Sequence, residues 1–331
     1  MCARALCKER TIAYALLAAR YPSRSPRLHP WPDFFIVGAP RCGTSSLYQY
    51  LRQCPQVFLP RIKEPLFFNT LLDREKRFTD LASYLALFAD AKPYQKVGEA
   101  SPTYLHDPGA PLRIAEANPD AKVVMILRDP VARTHSHYLL EVRFGVEHRS
   151  FGQAIREVAP LIPGGLNAYV DHSVYADALN RYLKAFPREN VLILWFEDFV
   201  RNPDVAVTNV LEFLGCEPGL DAGITLDEAF MGYRRPRFAP LRTLLRRMVR
   251  LPMPGGKDIR SFLLPLIVSN LGLNLDERIF SSAGKKPPIA DADEAFLREH
   301  FASDLQSLQA LTGRDLSNWL RLGAAMSAQT S

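Results

Sequence analysis

The chain has 331 residues, of which 47% are hydrophobic and 23% carry charge. These values are ordinary for a globular protein and exclude a largely disordered chain. The length is sufficient for one large α/β domain or two smaller ones with a buried core. The five cysteines are odd in number, scattered and without C-x-x-C spacing. This argues against a disulfide framework and a zinc site, and it favours reduced thiols in a cytoplasmic protein.

The N-terminal region, residues 1–31, has the composition of a loosely ordered leader. Its apolar stretch, residues 12–19, is shorter than the roughly 20 residues that a membrane-spanning helix needs. No clear small-residue cleavage site of the kind found in secretory signals precedes the polar segment that follows. We therefore expect the folded domain over residues 32–320 and a C-terminal tail over 321–331.

A strand, a glycine-rich turn and a helix start are predicted where the chain first becomes strongly apolar. The run Phe34–Val37 is followed by Gly38–Leu47, with the sequence GAPRCGTSSL. The G-x-x-x-x-G spacing is that of a loop that binds phosphate through backbone N–H groups and a helix N-terminus. Thr44 replaces the lysine of a nucleoside-triphosphate site, and the basic residue is Arg41. This indicates a nucleotide donor other than ATP or GTP; the alternative is an ordinary tight turn.

Strands and helices alternate through most of the remaining chain. The run Lys122–Leu127 is apolar after its first residue, as expected of a strand buried in a parallel sheet. The pattern predicts a three-layer, P-loop-like α/β fold with a central parallel sheet flanked by helices. Ligands bind beyond the carboxyl ends of such strands, so the glycine-rich turn, Glu99 and Arg128 are expected at one site. The predicted helices cover 44–52, 81–88, 112–117, 131–143, 174–186 and 205–214, and the strands 34–37, 56–59, 96–99, 122–127 and 191–195.

The net charge of +6 is concentrated in one segment. Seven arginines lie within residues 234–250, and no acidic residue occurs from 229 to 257. Residues 241–250 have the spacing of a basic amphipathic helix, inside a basic helical insertion of about residues 230–280. One interpretation is a solvated helix that packs on the sheet; the other is a face for an anionic membrane surface or an acidic acceptor. We expect no nucleic acid partner.

Several separated motifs resemble those of one enzyme family, in the same order along the chain. They are Gly38–Leu47, Lys63–Phe68, Gly98–Tyr104, Ile126–Tyr138 and Ser282–Pro287. Together they resemble the sulfotransferases that use 3′-phosphoadenosine 5′-phosphosulfate (PAPS), specifically the glycan-modifying and bacterial members. The resemblance covers most of the chain and implies PAPS as co-substrate with no metal.

The resemblance also implies roles for individual residues. Glu64 would be the catalytic base, and Arg41 would stabilise charge on the leaving 5′-phosphate. Arg128 and Ser136 would hold the 3′-phosphate, and the last motif would close over the nucleotide. The residues expected to bind PAPS are Arg41, Cys42, Gly43, Thr44, Ser45, Ser46, Arg128, Ser136, Gly284, Lys285 and Lys286.

Two positions depart from the heparan-type members of this family. Leu66 stands where they carry a histidine, and Ala100 stands where they carry a lysine. Both departures leave PAPS binding intact and argue against heparan-like recognition of the acceptor. The expected acceptor is a hydroxyl or amine of a carbohydrate, glycolipid or similar small molecule.

The chemistry of sulfuryl transfer agrees with these roles, because positioning and charge stabilisation dominate it, as in phosphoryl transfer. Arg41 binds phosphate without supplying a proton, so we expect electrostatic stabilisation from it. A base must accept the proton of the acceptor hydroxyl, and Glu64 beside Phe67 and Phe68 is expected in a dry pocket. The alternative is that Glu64 pairs with Lys63 or Arg61 at the surface of a loop.

Other hypotheses remain open at the level of sequence. Glu99 could serve as a second base or orient Arg41, and a structural role is the alternative. The chain could instead be a nucleotide kinase-like P-loop enzyme, which the missing P-loop lysine disfavours. A third possibility is a catalytically silent PAPS-fold protein at a membrane surface.

Overall fold

The computed structural model describes residues 31–72, 77–157, 169–216 and 286–321, with the backbone of two short strands between the last two ranges. The strands are β1 (Phe34–Gly38), β2 (Val57–Phe58), β3 (Lys96–Ala100), β4 (Lys122–Leu127), β5 (Val191–Trp195), β6 (Arg234–Pro236) and β7 (Ser281–Ala283). The helices are α1 (Thr44–Leu51), α2 (Leu81–Ala86), α3 (Ala110–Ala117), α4 (Pro130–Phe144), α5 (Phe151–Arg156), α6 (Ala176–Ala185), α7 (Phe196–Arg201), α8 (Pro203–Leu214), α9 (Asp291–Thr312) and α10 (Ser317–Leu320).

The central sheet has five parallel strands in the order β2-β3-β1-β4-β5. β1 lies in the middle, where Phe35 is paired with Glu99 of β3 and with Val123 of β4. All five residues of β1 are buried, as expected of a strand covered on both faces. The three-layer, P-loop-like α/β fold predicted from the sequence is confirmed.

This strand order creates a topological switch point at β1. The chain builds β2 and β3 on one side of β1 and then crosses to build β4 and β5 on the other. The segments that follow β1, β3 and β4 therefore leave the sheet together at its carboxyl edge, where open α/β sheets bind their ligands.

A long C-terminal helix, α9, packs on this core. This helix was not expected from the sequence, although its buried apolar residues recur at helical spacing. Its Asp304 accepts hydrogen bonds from the N–H groups of Tyr175 and Ala176, both at 2.9 Å. A carboxylate of α9 therefore caps the N-terminus of α6. The buried apolar residues of α9 are Leu297, Phe301, Leu305 and Leu308.

The predicted helices and strands lie within a few residues of the observed ones, but two other segments differ from what the sequence led us to expect. Trp31, assigned to the leader, belongs to the core, and its ring centre lies 5.8 Å from that of Phe68. Arg234–Pro236, expected in a helical insertion, instead pairs with Ser281–Ala283 as an antiparallel strand. The corrections have a common reason: tertiary contacts decide the structure of short segments with weak local signals.

Several of the predicted segments cannot be compared with the structure. The leader up to residue 30, the amphipathic helix at 241–250 and the tail from 322 lie outside the described residues. In the part of the chain that is described, no helix combines the length and the apolar character needed to cross a membrane.

Packing at the centre of the sheet requires a glycine in β3. Gly98 is paired with Phe34, and a Cβ atom at Gly98 would lie 2.1 Å from Cζ of the Phe34 ring. Gly98→Ala should therefore destabilise the fold by about 1–3 kcal/mol through overpacking. Urea denaturation measures this as a lower midpoint. The additional substitution Phe34→Leu should recover part of the loss, and an unchanged midpoint for Gly98→Ala alone would contradict the packing argument.

Candidate functional site

The glycine-rich turn that follows β1 has the backbone its sequence predicts. Gly43 has φ +86°, which favours glycine, and the first helical bond of α1 runs from the Leu47 N–H to the Gly43 carbonyl. A Cβ atom at Gly43 would lie 3.0 Å from the Phe199 ring, and one at Gly38 would lie 2.6 Å from Cβ of Leu105. Both glycines are therefore required by close packing around the turn.

Side chains from the β4–α4 region hold this turn in place. The guanidinium of Arg133, which is fully buried, donates from Nε to the Pro40 carbonyl at 3.0 Å. Nη1 of Arg128 donates to the Arg41 carbonyl at 3.3 Å. Arg41 itself has φ +70°, a conformation that costs a residue other than glycine about 1–2 kcal/mol. These two hydrogen bonds fix the peptide groups on both sides of that strained residue.

The structure brings together three of the predicted nucleotide-binding cations. Nε of Arg41 lies 3.4 Å from the Ser136 hydroxyl, to which it donates. The guanidinium carbon of Arg128 lies 4.2 Å from the ring centre of Phe196. Lys286, half-buried, is close enough to both arginines for their charges to affect it. We call Arg41, Arg128 and Lys286 the cation cluster.

The electrostatics of the cation cluster favour an anion. The protein atoms packed around its guanidinium, followed by the charge of Arg128, lower the pKa of Arg41 to about 10, although the residue as a whole is exposed. Burial, followed by the charges of Arg128 and Arg41, lowers the pKa of Lys286 to about 7. Burial, followed by the charges of Lys286 and Arg128, also lowers the pKa of His135 to about 4, so this ring is neutral at pH 7. A bound phosphate would relieve this repulsion between like charges.

One nitrogen of the cluster points to the same conclusion. Nε of Arg128 is buried and makes no hydrogen bond to any of the described residues. A buried N–H without a partner costs free energy, which a phosphate or sulfate oxygen would recover. The residues that the structure describes thus fit a doubly anionic ligand that lies between the turn and α4.

The remaining predicted residues of the turn differ in exposure. Thr44 and Ser46 are buried, whereas Ser45 is exposed. The N–H of Cys42 donates to the Ala39 carbonyl at 3.2 Å within the turn. Burial raises the pKa of the Cys42 thiol to about 11, which keeps it protonated. Cys42 therefore fills space and shapes the turn.

Glu64 lies on a loop above the carboxyl end of β3. Its N–H donates to the Ala100 carbonyl at 3.0 Å, and the N–H of Leu66 donates to the Ser101 hydroxyl at 3.2 Å. Glu64 and Leu66 have φ +60° and +58°, and residues held in this region cluster at functional sites. The loop is thus anchored one strand away from the glycine-rich turn.

The surroundings of Glu64 differ from the predicted dry pocket. Its side chain is 43% exposed and forms an ion pair with Lys63. The ring of Phe67 turns inward and stacks on Tyr84, with ring centres 4.3 Å apart. The neighbouring phenylalanines therefore stabilise the core and do not enclose the carboxylate. The role of Glu64 as a base remains a prediction.

Glu99 occupies the contrasting position at the end of β3. It is fully buried and accepts hydrogen bonds from the hydroxyls of Tyr84 and Ser101, the latter at 2.6 Å. Burial raises its pKa to about 6. Because Ser101 also receives the Leu66 N–H, Glu99 supports the loop of Glu64. This arrangement favours the structural alternative over contact with Arg41.

Two of the predicted nucleotide-binding residues, Gly284 and Lys285, lie outside the described residues. Within the described ranges, no group of histidine, cysteine, aspartate and glutamate side chains has the arrangement of a metal site. Arg133, which had no expected role, fixes the turn through a contact that spans 93 residues. The signal in the sequence for a role of Arg133 is its place in the Ile126–Tyr138 motif, three residues before Ser136.

The comparison with known families agrees with this geometry. A family model described as a sulfotransferase domain matches residues 31–227. The chain belongs to the sulfotransferase family. The matched span contains the glycine-rich turn, the Glu64 loop and α4, whereas Lys286 and α9 lie beyond it.

Individual sulfotransferases show how far the similarity extends. The chain is 28% identical to carbohydrate sulfotransferase 15 of Mus musculus in an alignment of 255 residues that covers 58% of this chain and 45% of the relative. It is 31% identical to heparan sulfate glucosamine 3-O-sulfotransferase 6 of Mus musculus over 191 residues, or 57% of this chain and 54% of the relative. The chain spans about half the length of these curated relatives. A solved sulfotransferase from Alicyclobacillus acidocaldarius is 28% identical, with a TM-score of 0.64 over 88% of this chain and 99% of that chain.

The cation cluster predicts a pH-dependent affinity for anions. In the free protein Lys286 loses its charge as the pH rises through about 7, and a bound phosphate would raise its pKa again. Binding of adenosine 3′,5′-bisphosphate should therefore take up a proton, and its affinity should weaken by up to about tenfold per pH unit above 7. Isothermal titration calorimetry in buffers of different ionisation enthalpy measures both effects.

Lys286→Met should bind this ligand less tightly and take up fewer protons. Lys184→Met, at an exposed position of α6, is the matched control and should behave like the unmodified protein. Equal proton uptake in Lys286→Met and the unmodified protein would exclude Lys286 as the titrating group.

Proposed function

We propose that this protein is a PAPS-dependent sulfotransferase that acts on a hydroxyl (or amine) of a carbohydrate, glycolipid or similar small acceptor. The observation that carries the proposal is the cation cluster, with Ser136 beside Arg41 and an Arg128 N–H that has no partner among the described residues. PAPS carries phosphate at the 3′ position and a phosphosulfate at the 5′ position of one adenosine. The turn at Arg41 suits the 5′ end, and Arg128 with Ser136 suits the 3′ end.

The absence of a lysine after Gly43 supports this donor over ATP. Thr44 occupies that position, so the turn lacks the amine that reaches the β- and γ-phosphates in a P-loop enzyme. Arg41 offers a planar, permanently charged group that suits phosphate oxygens. We therefore prefer PAPS to the nucleotide kinase-like alternative.

The proposed reaction transfers the sulfuryl group in line between two oxygens. The bond from sulfur to the bridging oxygen of the 5′-phosphate breaks, and a bond from sulfur to the acceptor oxygen forms. The electron pair that stays on the bridging oxygen is stabilised by Arg41 and by the N–H groups at the start of α1. Glu64 receives the proton of the acceptor hydroxyl.

The position of Glu64 supports its role as this base. Its backbone is anchored at the end of β3, beside the strand that leads into the turn. Its exposed carboxylate is accessible to an acceptor from solvent. Before the acceptor binds, the carboxylate is paired with Lys63.

The acceptor class rests on the relatives and on two residues. The relatives' names specify carbohydrate and heparan sulfate glucosamine as acceptors. Leu66 and Ala100 differ from the heparan-type pattern, so we propose a glycan or glycolipid other than heparan sulfate. We also propose a cytoplasmic enzyme, because Cys42 and Cys216 are buried thiols in the part of the chain that the structure describes. The arginine-rich segment at 234–250 would provide a peripheral contact with anionic membranes.

Glu64→Gln tests the mechanism. It should lower sulfuryl transfer from labelled PAPS by about 10²- to 10⁴-fold, the usual contribution of a general base. The affinity for adenosine 3′,5′-bisphosphate should stay within about twofold, because Glu64 does not contact the cation cluster. Transfer to a panel of glycan, glycolipid and phenolic acceptors provides the rate, and calorimetry provides the affinity.

Glu116→Gln is the matched control, since Glu116 is exposed on α3 and is not one of the residues of the site. It should leave both quantities unchanged. Near-normal turnover in Glu64→Gln would remove Glu64 from the role of base. Binding of ATP in preference to adenosine 3′,5′-bisphosphate by the unmodified protein would overturn the proposed donor.

A further inference from the structure

A buried ion pair connects the C-terminal helix with the start of α4. Arg298 of α9 is 5% exposed, and its Nη1 donates to Oδ2 of Asp129 at 2.7 Å. The same guanidinium binds Glu294, with Nε and Nη2 at 3.3 and 3.1 Å from Oε1, and the Trp319 carbonyl. Arg298 therefore connects α9 with the start of α4 and with α10, and it lies beyond the span matched by the family model.

Asp129 is the residue between Arg128 and the first residue of α4, and all of its polar groups are engaged. Its Oδ1 accepts from the Ala132 N–H at 3.0 Å and so caps the helix. Its Oδ2 is held by Arg298, and its own N–H donates to Oε1 of Glu197 at 3.1 Å. The backbone at the end of β4 is thus fixed from three directions.

This constraint decides where two predicted ligand contacts lie. Arg128 precedes Asp129 directly, so the peptide between them sets the direction in which the guanidinium leaves the strand. Ser136 lies two turns into α4, and its position depends on where that helix begins. Both residues belong to the end of the site proposed for the 3′-phosphate.

We propose that Arg298 is a positioning residue for the 3′-phosphate, acting through Asp129 on Arg128 and Ser136. The proposal rests on the proposed function, because it assumes that a 3′-phosphate binds between these two residues. It extends the nucleotide site to α9, more than 160 residues along the chain from Asp129.

A purely stabilising role would give a different pattern of binding. A helix that merely holds the fold together would change the affinities for all adenosine nucleotides alike. A positioning residue at the 3′ end should change the affinity for ligands with a 3′-phosphate and spare the others. We define the 3′-phosphate preference as the dissociation constant of adenosine 5′-monophosphate divided by that of adenosine 3′,5′-bisphosphate. This ratio distinguishes a positioning role from a stabilising one.

Arg298→Met and Asp129→Asn each remove the charge of one partner of the ion pair. Asparagine can still cap α4, since it is a preferred capping residue, so Asp129→Asn is expected to fold even if Arg298→Met does not. Arg156→Met is the matched control because its ion pair with Asp293 also ties α9 to another helix, at an exposed site. Calorimetry with both nucleotides and a thermal melt are measured for each protein.

The 3′-phosphate preference should fall by about tenfold or more in both ion-pair variants, the size expected for a mispositioned charge-assisted contact. The affinity for adenosine 5′-monophosphate should stay within about twofold, and Arg156→Met should keep the full preference. An unchanged preference in Asp129→Asn would overturn the role of Arg298, whatever the melting temperatures. No 3′-phosphate preference in the unmodified protein would overturn the proposed function and this inference with it.

Discussion

The site depends on one constraint, the like charges that the fold gathers at the carboxyl edge of the sheet. Arg41, Arg128 and Lys286 repel one another, which the lowered pKa values of Arg41 and Lys286 express. The contacts that hold the arginines use a backbone carbonyl, a hydroxyl and an aromatic face. The carboxyl of Glu197 is close, but burial raises its pKa and disfavours its negative charge. The folded protein thus maintains a positive potential that an anionic ligand would neutralise.

Local backbone strain accompanies this arrangement. Arg41, Glu64 and Leu66 all have positive φ, at a cost of about 1–2 kcal/mol each. Each strained segment is held by hydrogen bonds from neighbouring strands or helices, such as those from Arg133 to the turn and from the loop to Ser101. The rest of the fold offsets this cost, and the side chains are in place before any ligand binds.

The sequence predicts the sheet and the turn well because their signals are local. The run Lys122–Leu127 is apolar enough to identify a buried strand, and the spacing of glycines identifies the turn. The contacts of Arg133 and Arg298 could not be predicted, since each depends on a partner 93 or 169 residues away. The enclosure of Glu64 was predicted wrongly because adjacent phenylalanines do not reveal which way their rings point. The helix α9 could have been found from the spacing of its apolar residues.

The two glutamates near the end of β3 show why position decides which carboxylate can act as a base. Burial raises the pKa of Glu99 to about 6, which alone would suit it to accept a proton. Its oxygens are already engaged by the hydroxyls of Tyr84 and Ser101, and it is sealed from solvent, so no acceptor can reach it. Glu64 stands at the surface on the loop that Glu99 and Ser101 support. A general base needs access to the proton before it needs a tuned pKa, and of these two carboxylates Glu64 has that access.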